Sequence, residues 1–331
     1  MKRKTITILL TGIILVTLLY GTLVNVLVSA ALVPSFMETL DAFEEITQKS
    51  YNEQVQSKNL SKNKKKMLNH TVDWLDEMKK EKRLTKLDMK SRDGYDLVAS
   101  RFINEKKSNK WVVLLHGYTG WKEAMYSYAC HYYEEGYNVL VPDLRCQGES
   151  DGDFIGMGYT DSIDAIDWMN KAILKDYPDA QIVLHGQSMG GATALLMSGR
   201  KELPKNVVAV VSDCAYSDAY AMFEDKAEDW FKVPADLVLD AAVFFLKLRG
   251  GYDLRQASPI EAVKKSTTPT IFIHGDKDKM VPVEMATQMY KVENAEKELR
   301  IIPGVGHAQA RDKSPEVFYR MIDDFLEDKV D

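Results

Sequence analysis

The sequence predicts an α/β fold, a mostly parallel sheet with helices on both faces, preceded by one long apolar helix. Three observations carry this expectation. From about residue 87, short β-type runs alternate with helical runs, the pattern of strand–helix–strand units. Strands such as Val112-Val113-Leu114-Leu115 are continuously apolar, as burial of a sheet on both faces requires. Residues 5–33 carry no charge and are dominated by Ile, Leu and Val.

The apolar segment comes first in the chain. Lys2, Arg3 and Lys4 precede it, and the next charged residue is Glu38. Residues 5–33 exceed the ~20 needed to cross a bilayer, whereas a secretory signal has an apolar core of about 7–15. The expectation is a single-pass transmembrane helix kept as an anchor. Cleavage near Ser29-Ala30-Ala31, giving a secreted protein, is the alternative. Positive residues before the span, and Glu38, Asp41, Glu44 and Glu45 after it, put residues 1–4 in the cytoplasm and the rest outside the cell membrane. Residues 35–93 contain no Gly or Pro, and Met37, Leu40, Phe43 and Ile46 recur at three-residue steps. Residues 34–86 are therefore expected to form a helical linker or buttress, in two pieces divided at the lysine run 62–66. The second piece, 71–84, would pack on the main domain through Val72, Leu75 and Met78.

Residues 87–331 read as that domain. Strands are expected at 97–103, 111–115, 137–141, 181–185, 207–212, 270–274 and 299–302. Helices are expected at 122–135, 160–175, 189–200, 283–292 and 315–327. Residues 216–258 hold far more sequence than a crossover needs. They should form an apolar helical lid, with Trp230, Phe231, Phe244 and Phe245 as candidates to line a substrate pocket.

Gly186-Gln187-Ser188-Met189-Gly190 lies between a β run and a helix-forming run. A sharp strand-to-helix turn there would expose the serine hydroxyl and set the Met189 N–H at a helix N-terminus. Gly148-Glu149-Ser150-Asp151-Gly152 fits the same pattern but sits in loop sequence, and a loop is the better reading for Ser150. A serine needs a base, and the base a partner that fixes its tautomer. His307, in a loop after the last strand, is the candidate base, whereas His116, His185 and His274 read as structural. Asp278, after the penultimate strand, is the candidate acid, with Asp276 as its competitor. The backbone N–H groups of Tyr118 and Met189 would form an oxyanion hole.

Composition narrows the partners. A net charge of −6 and no basic patch interleaved with aromatics give no reason to expect a nucleic-acid partner. Cys130, Cys146 and Cys214 match neither a zinc nor a disulfide pattern, so no metal is expected.

Taken together, His116-Gly117, the Gly186–Gly190 turn, Gly275-Asp276-Lys277-Asp278 and Gly306-His307 resemble the α/β-hydrolase superfamily. The likeness is to serine hydrolases of the membrane-anchored bacterial branch, related to serine aminopeptidase-like and cinnamoyl-esterase-like enzymes. It implies an eight-stranded core whose first, antiparallel strand lies within 84–90. It also implies cofactor-free hydrolysis of an ester, thioester or amide. One departure is Arg145-Cys146-Gln147-Gly148-Glu149-Ser150, where many relatives have Arg-Gly-His-Gly-x-Ser. The leading expectation is a carboxylesterase acting on a small-molecule acyl substrate. Peptidase, thioesterase and acyltransferase remain open, and a non-catalytic membrane-anchored binding module is the rival. Dehalogenase or epoxide hydrolase chemistry would need Asp where Ser188 stands.

Overall fold

The structure, a computed structural model, describes residues 2–39 and 60–330. The expected helical positions Leu40, Phe43 and Ile46 lie outside them. The chain begins with α1 (Lys2–Leu32) and α2 (Pro34–Thr39). After the gap comes α3 (Lys62–Lys80), whose first turn is capped by Ser61 Oγ accepting the Lys64 N–H at 3.2 Å. The lysine run 62–66 therefore forms the first turn of this helix, and the first expected helical piece lies largely outside the described residues. The Ser61 cap marks where the helix starts.

The sheet has eight strands: β1 (Leu84–Lys90), β2 (Asp96–Phe102), β3 (Lys110–Leu115), β4 (Asn138–Pro142), β5 (Gln181–Gln187), β6 (Val207–Asp213), β7 (Thr270–Gly275) and β8 (Lys297–Ile302). Their order is β1-β2-β4-β3-β5-β6-β7-β8. β1 pairs antiparallel with β2, and β2 antiparallel with β4; every later pairing is parallel. The sheet is thus mixed, and it begins at Leu84, three residues before the expected boundary at 87.

Period-two alternation divides the core. Trp111, Val113 and Leu115 of β3 face one layer, and Val112 and Leu114 face the other. The second layer holds α3, α4 (Tyr126–Glu134) and, near the C-terminus, α12 (Pro315–Leu326). In it Trp74 of α3 stacks on Phe102 with ring centroids 4.8 Å apart, so α3 buttresses the sheet as the Leu75 and Met78 stripe suggests. The first layer holds α5 (Tyr159–Met169), α6 (Met189–Ser198) and two lid helices, α7 (Ala219–Phe231) and α8 (Ala235–Gly250). The described residues also form α9 (Pro259–Val263), α10 (Val283–Val292) and α11 (Ala310–Lys313).

The last two turns of α1 belong to the first layer. Val24, Val28 and Leu32 are buried against it, whereas Ile8, Leu9 and Leu19 are exposed. Polar contacts tie α1 to the main domain, among them that of the Ile155 N–H, which donates to the Leu32 carbonyl at 2.9 Å. The Tyr20 hydroxyl donates to the Leu237 carbonyl of α8. Arg249 of α8 donates to Asn25 Oδ1 at 2.7 Å and to Ser29 Oγ at 3.0 Å. The Tyr118 hydroxyl donates to the Ala31 carbonyl.

Candidate active site

β5 delivers Ser188 to the C-terminal edge of the sheet. The turn into α6 holds it at φ 56° and ψ −118°, a region non-glycine residues rarely occupy. Its N–H donates to the Asp213 carbonyl at the end of β6, at 2.7 Å. The glycines on either side allow the packing. A Cβ on Gly190 would lie 1.9 Å from the Leu115 carbonyl oxygen, and one on Gly186 would lie 2.0 Å from that of Gly190.

His307 and Asp278 meet Ser188 from two other loops. His307 Nε2 is 2.9 Å from Ser188 Oγ, and His307 Nδ1 is 2.7 Å from Asp278 Oδ2. Asp278 is itself fixed, because its Oδ1 accepts the Met280 and Val281 N–H groups, each at 2.9 Å. Burial works to raise the Asp278 carboxyl, but hydrogen bonds from His274 and His307 outweigh it and hold it well below the usual carboxylate range. An ionised Asp278 can only accept, so it keeps the proton on His307 Nδ1 and leaves Nε2 a lone pair facing the serine. Asp276, the competing carboxylate, instead accepts the Gly304 N–H at 2.6 Å and shapes the loop that carries His307.

His274 differs from its expected role. Its Nε2 donates to the Val281 carbonyl at 2.9 Å and lies 3.3 Å from Asp278 Oδ2. It is a second partner of the carboxylate rather than a remote structural residue. Four-residue spacing along the sequence hides this, because the turn after β7 folds back on the strand. His116 and His185 do serve packing. His116 Nε2 accepts the Leu144 N–H at 2.9 Å, and the Tyr132 hydroxyl meets His185 Nδ1 at 3.0 Å. Ser150 bridges Val98 N–H and the Asp143 carbonyl in a buried loop.

Asp213 was not singled out by sequence. Its carboxyl is buried and pushed up to about 6 by that burial, against a hydrogen bond from Gln187. Two clusters bring metal-ligating residue types within 4.8 Å: His70, Cys130 and Glu134, and Cys214, Asp278 and His307. Burial pushes both the Cys130 and the Cys214 thiol up, away from the thiolate a metal needs.

A cleft of about 920 Å³ opens over Ser188. Tyr118 and Met189 line it beside the serine, and Met157, Tyr216, Met222 and Phe223 supply apolar walls. Of the lid residues expected in the pocket, Trp230 lines it. Phe244 does not: it is 63% exposed on the outside of α8. Phe245 packs instead on α1, where its Cζ lies 3.5 Å from the position of a Cβ on Gly21. The side chain of Phe231 lies outside the described residues. A further wall comes from Leu27, Ala30 and Ala31 of α1, residues whose sequence marks them only as part of an apolar span or of a cleavage site. Helical periodicity reveals that α8 has an apolar face but not that α1 occupies part of it.

Comparison with known proteins bears on the fold that carries these residues. The family model described as "alpha/beta hydrolase fold" matches residues 110–250. The uncharacterized protein YqkD of Bacillus subtilis (strain 168) is 30% identical over 244 residues, covering 72% of this chain and 77% of that protein. The chain belongs to the α/β-hydrolase family. The uncharacterized protein YfhR of Escherichia coli (strain K12) is 26% identical over 218 residues, 65% of this chain and 69% of its own. Among solved structures, the esterase Pf2001 of Pyrococcus furiosus superposes with a TM-score of 0.60 at 22% identity, covering 77% of this chain and 94% of that one. An acylaminoacyl peptidase of Pyrococcus horikoshii gives 0.58 at 20% identity, over 75% of this chain and 41% of the larger enzyme. At these identities the two likenesses show the α/β-hydrolase fold.

Proposed function

We propose that this α/β hydrolase is a membrane-anchored serine carboxylesterase working through an acyl-enzyme. The observation that carries the reading is the unbroken hydrogen-bonded chain Ser188–His307–Asp278, ending on a serine held in a strained strand-to-helix turn. Ser188 Oγ bonds to the acyl carbon while His307 Nε2 takes its proton. The ester C–O bond then breaks, and His307 returns the proton to the departing alcohol. Water, deprotonated by His307, attacks the acyl-enzyme and releases the acid. Asp278 holds the ring and stabilises the imidazolium, and the N–H groups of Tyr118 and Met189 receive the oxyanion. The apolar walls of the cleft favour an apolar acyl group.

The anchor reading rests on α1. Apolar side chains from Ile6 to Leu23 remain exposed on it, a surface suited to lipid rather than water. The basic residues before it argue for a cytoplasmic N-terminus. Retention is favoured because cleavage after Ala30 or Ala31 would remove a wall of the cleft.

Fluorophosphonate labelling and turnover of p-nitrophenyl esters test the site. Ser188→Ala should lose all labelling and drop turnover by roughly a millionfold. Labelling that persists in this variant overturns the assignment, and peptide hydrolysis with flat ester rates moves it to a peptidase.

A further inference from the structure

The cleft does not end at the catalytic serine. A narrow crevice of about 50 Å³, lined by apolar residues, adjoins it between α1 and the lid. The two spaces share Leu27, Ala31 and Phe223, and the crevice continues along Val238, Ala242 and Leu246 of α8. On α1 it is lined by Leu27, Val28, Ala31 and Leu32, the end of the helix that adjoins the exposed apolar run ending at Val26.

The outside of α8 continues that surface. Leu237, Phe244 and Leu248 are 60%, 63% and 71% exposed. At 100° per residue they form one stripe, set beside Phe245 and Arg249, which touch α1, and away from Leu239, Val243 and Leu246 in the core. Asp240 borders this stripe with its charge paired to Arg255 at 2.5 Å. The bond from Tyr20 to Leu237 fixes the depth of α8 along α1. The exposed apolar run of α1 extends from Ile6 to Val26, so Tyr20 lies roughly 9 Å inside its far end at 1.5 Å per residue. α8 runs beside α1 with Arg249 level with Asn25 and Ser29, so Leu237 sits deepest along the apolar run and Leu248 near its end.

We propose that the substrate is a long-chain acyl ester resident in the bilayer, which enters the cleft between α1 and the lid while the outer stripe of α8 rests in the adjoining leaflet. This inference rests on the acyl-enzyme reading of Ser188 and names the substrate class for it. The chemistry at the serine is the same; α1 is both the anchor and one side of the acyl channel.

The test uses the full-length protein in phosphatidylcholine vesicles carrying p-nitrophenyl palmitate, with p-nitrophenyl acetate in the buffer as the soluble substrate. The triple variant Leu237→Glu, Phe244→Glu, Leu248→Glu alters residues that do not line the cleft. It should lower palmitate turnover roughly tenfold or more while acetate turnover stays within about twofold. Ala31→Trp, which fills the junction of cleft and crevice, should shift the preferred acyl chain from palmitate to butyrate or shorter. The proposal is overturned alone if the wild type hydrolyses acetate but not vesicle-borne palmitate, or if neither variant changes the ratio of the two rates. Failure on both esters, together with no fluorophosphonate labelling, overturns the reading of the site and this inference with it.

Discussion

At Asp213 backbone and side chain pull in different directions. The carbonyl anchors the Ser188 N–H at 2.7 Å, whereas the carboxyl is buried and pushed up to about 6. A carboxyl whose folded value lies above its unfolded one favours the fold below the unfolded value, and that contribution is lost as pH rises through about 6. Asp213→Asn removes the group that must ionise in a dry site. It should raise stability by about 2 kcal/mol at neutral pH and have little effect near pH 4. Thermal unfolding of both proteins in detergent micelles at the two pH values checks this, and an equal shift at both would contradict it. Asp278 is the opposite case, a buried carboxylate kept ionised by His274, His307 and two backbone N–H groups.

At the scale of elements, the decisive contact is α1 against α8. Arg249 supplies its charged hydrogen bonds, to Asn25 and Ser29 at one end, and Tyr20 and Leu237 are joined at the other. Arg249→Ala should weaken the docking of α1 by about 2 kcal/mol, the usual worth of hydrogen bonds to a charged group. Amide hydrogen exchange in the 24–32 segment should accelerate while exchange in β3 and β5 stays as in the wild type. Unchanged protection of that segment would show that apolar packing of Val24, Val28 and Leu32 suffices by itself. The elbow shows the same dependence on neighbours, since Gly186 and Gly190 are demanded by the close approach of β5, α6 and the end of β3.

For the whole molecule, α1 is a structural part of the first layer as well as an apolar segment. Removing it uncovers Val238, Leu239, Val243 and Leu246 of the lid, which are buried in the full chain. A fragment covering residues 60–331 should therefore self-associate in buffer without detergent and become monodisperse when detergent covers that face. Size-exclusion chromatography with light scattering distinguishes this from a fragment that is monomeric in plain buffer, which would mean that the lid closes without α1.

Much of this was legible in the chain because the signals are local. Strand and helix periods, the strand–Gly-x-Ser-x-Gly–helix context of Ser188, and loops after strand ends at Asp278 and His307 each depend on neighbouring residues. The turn also separated Ser188 from Ser150, whose hydroxyl is spent on Val98 and Asp143. What needed the tertiary structure was which groups the turns and the packing bring together. His274 reads as one more strand-end histidine until the turn after β7 brings it against Asp278. Phe244 and Phe245 read as pocket residues until α1 occupies one flank of α8 and leaves the other outside. Composition determined that residues 5–33 would be an apolar helix. Only packing decided that Leu27, Ala30 and Ala31 of that helix would line the cleft beside the serine, because which apolar faces meet depends on the shape of the fold rather than on hydrophobicity along the chain.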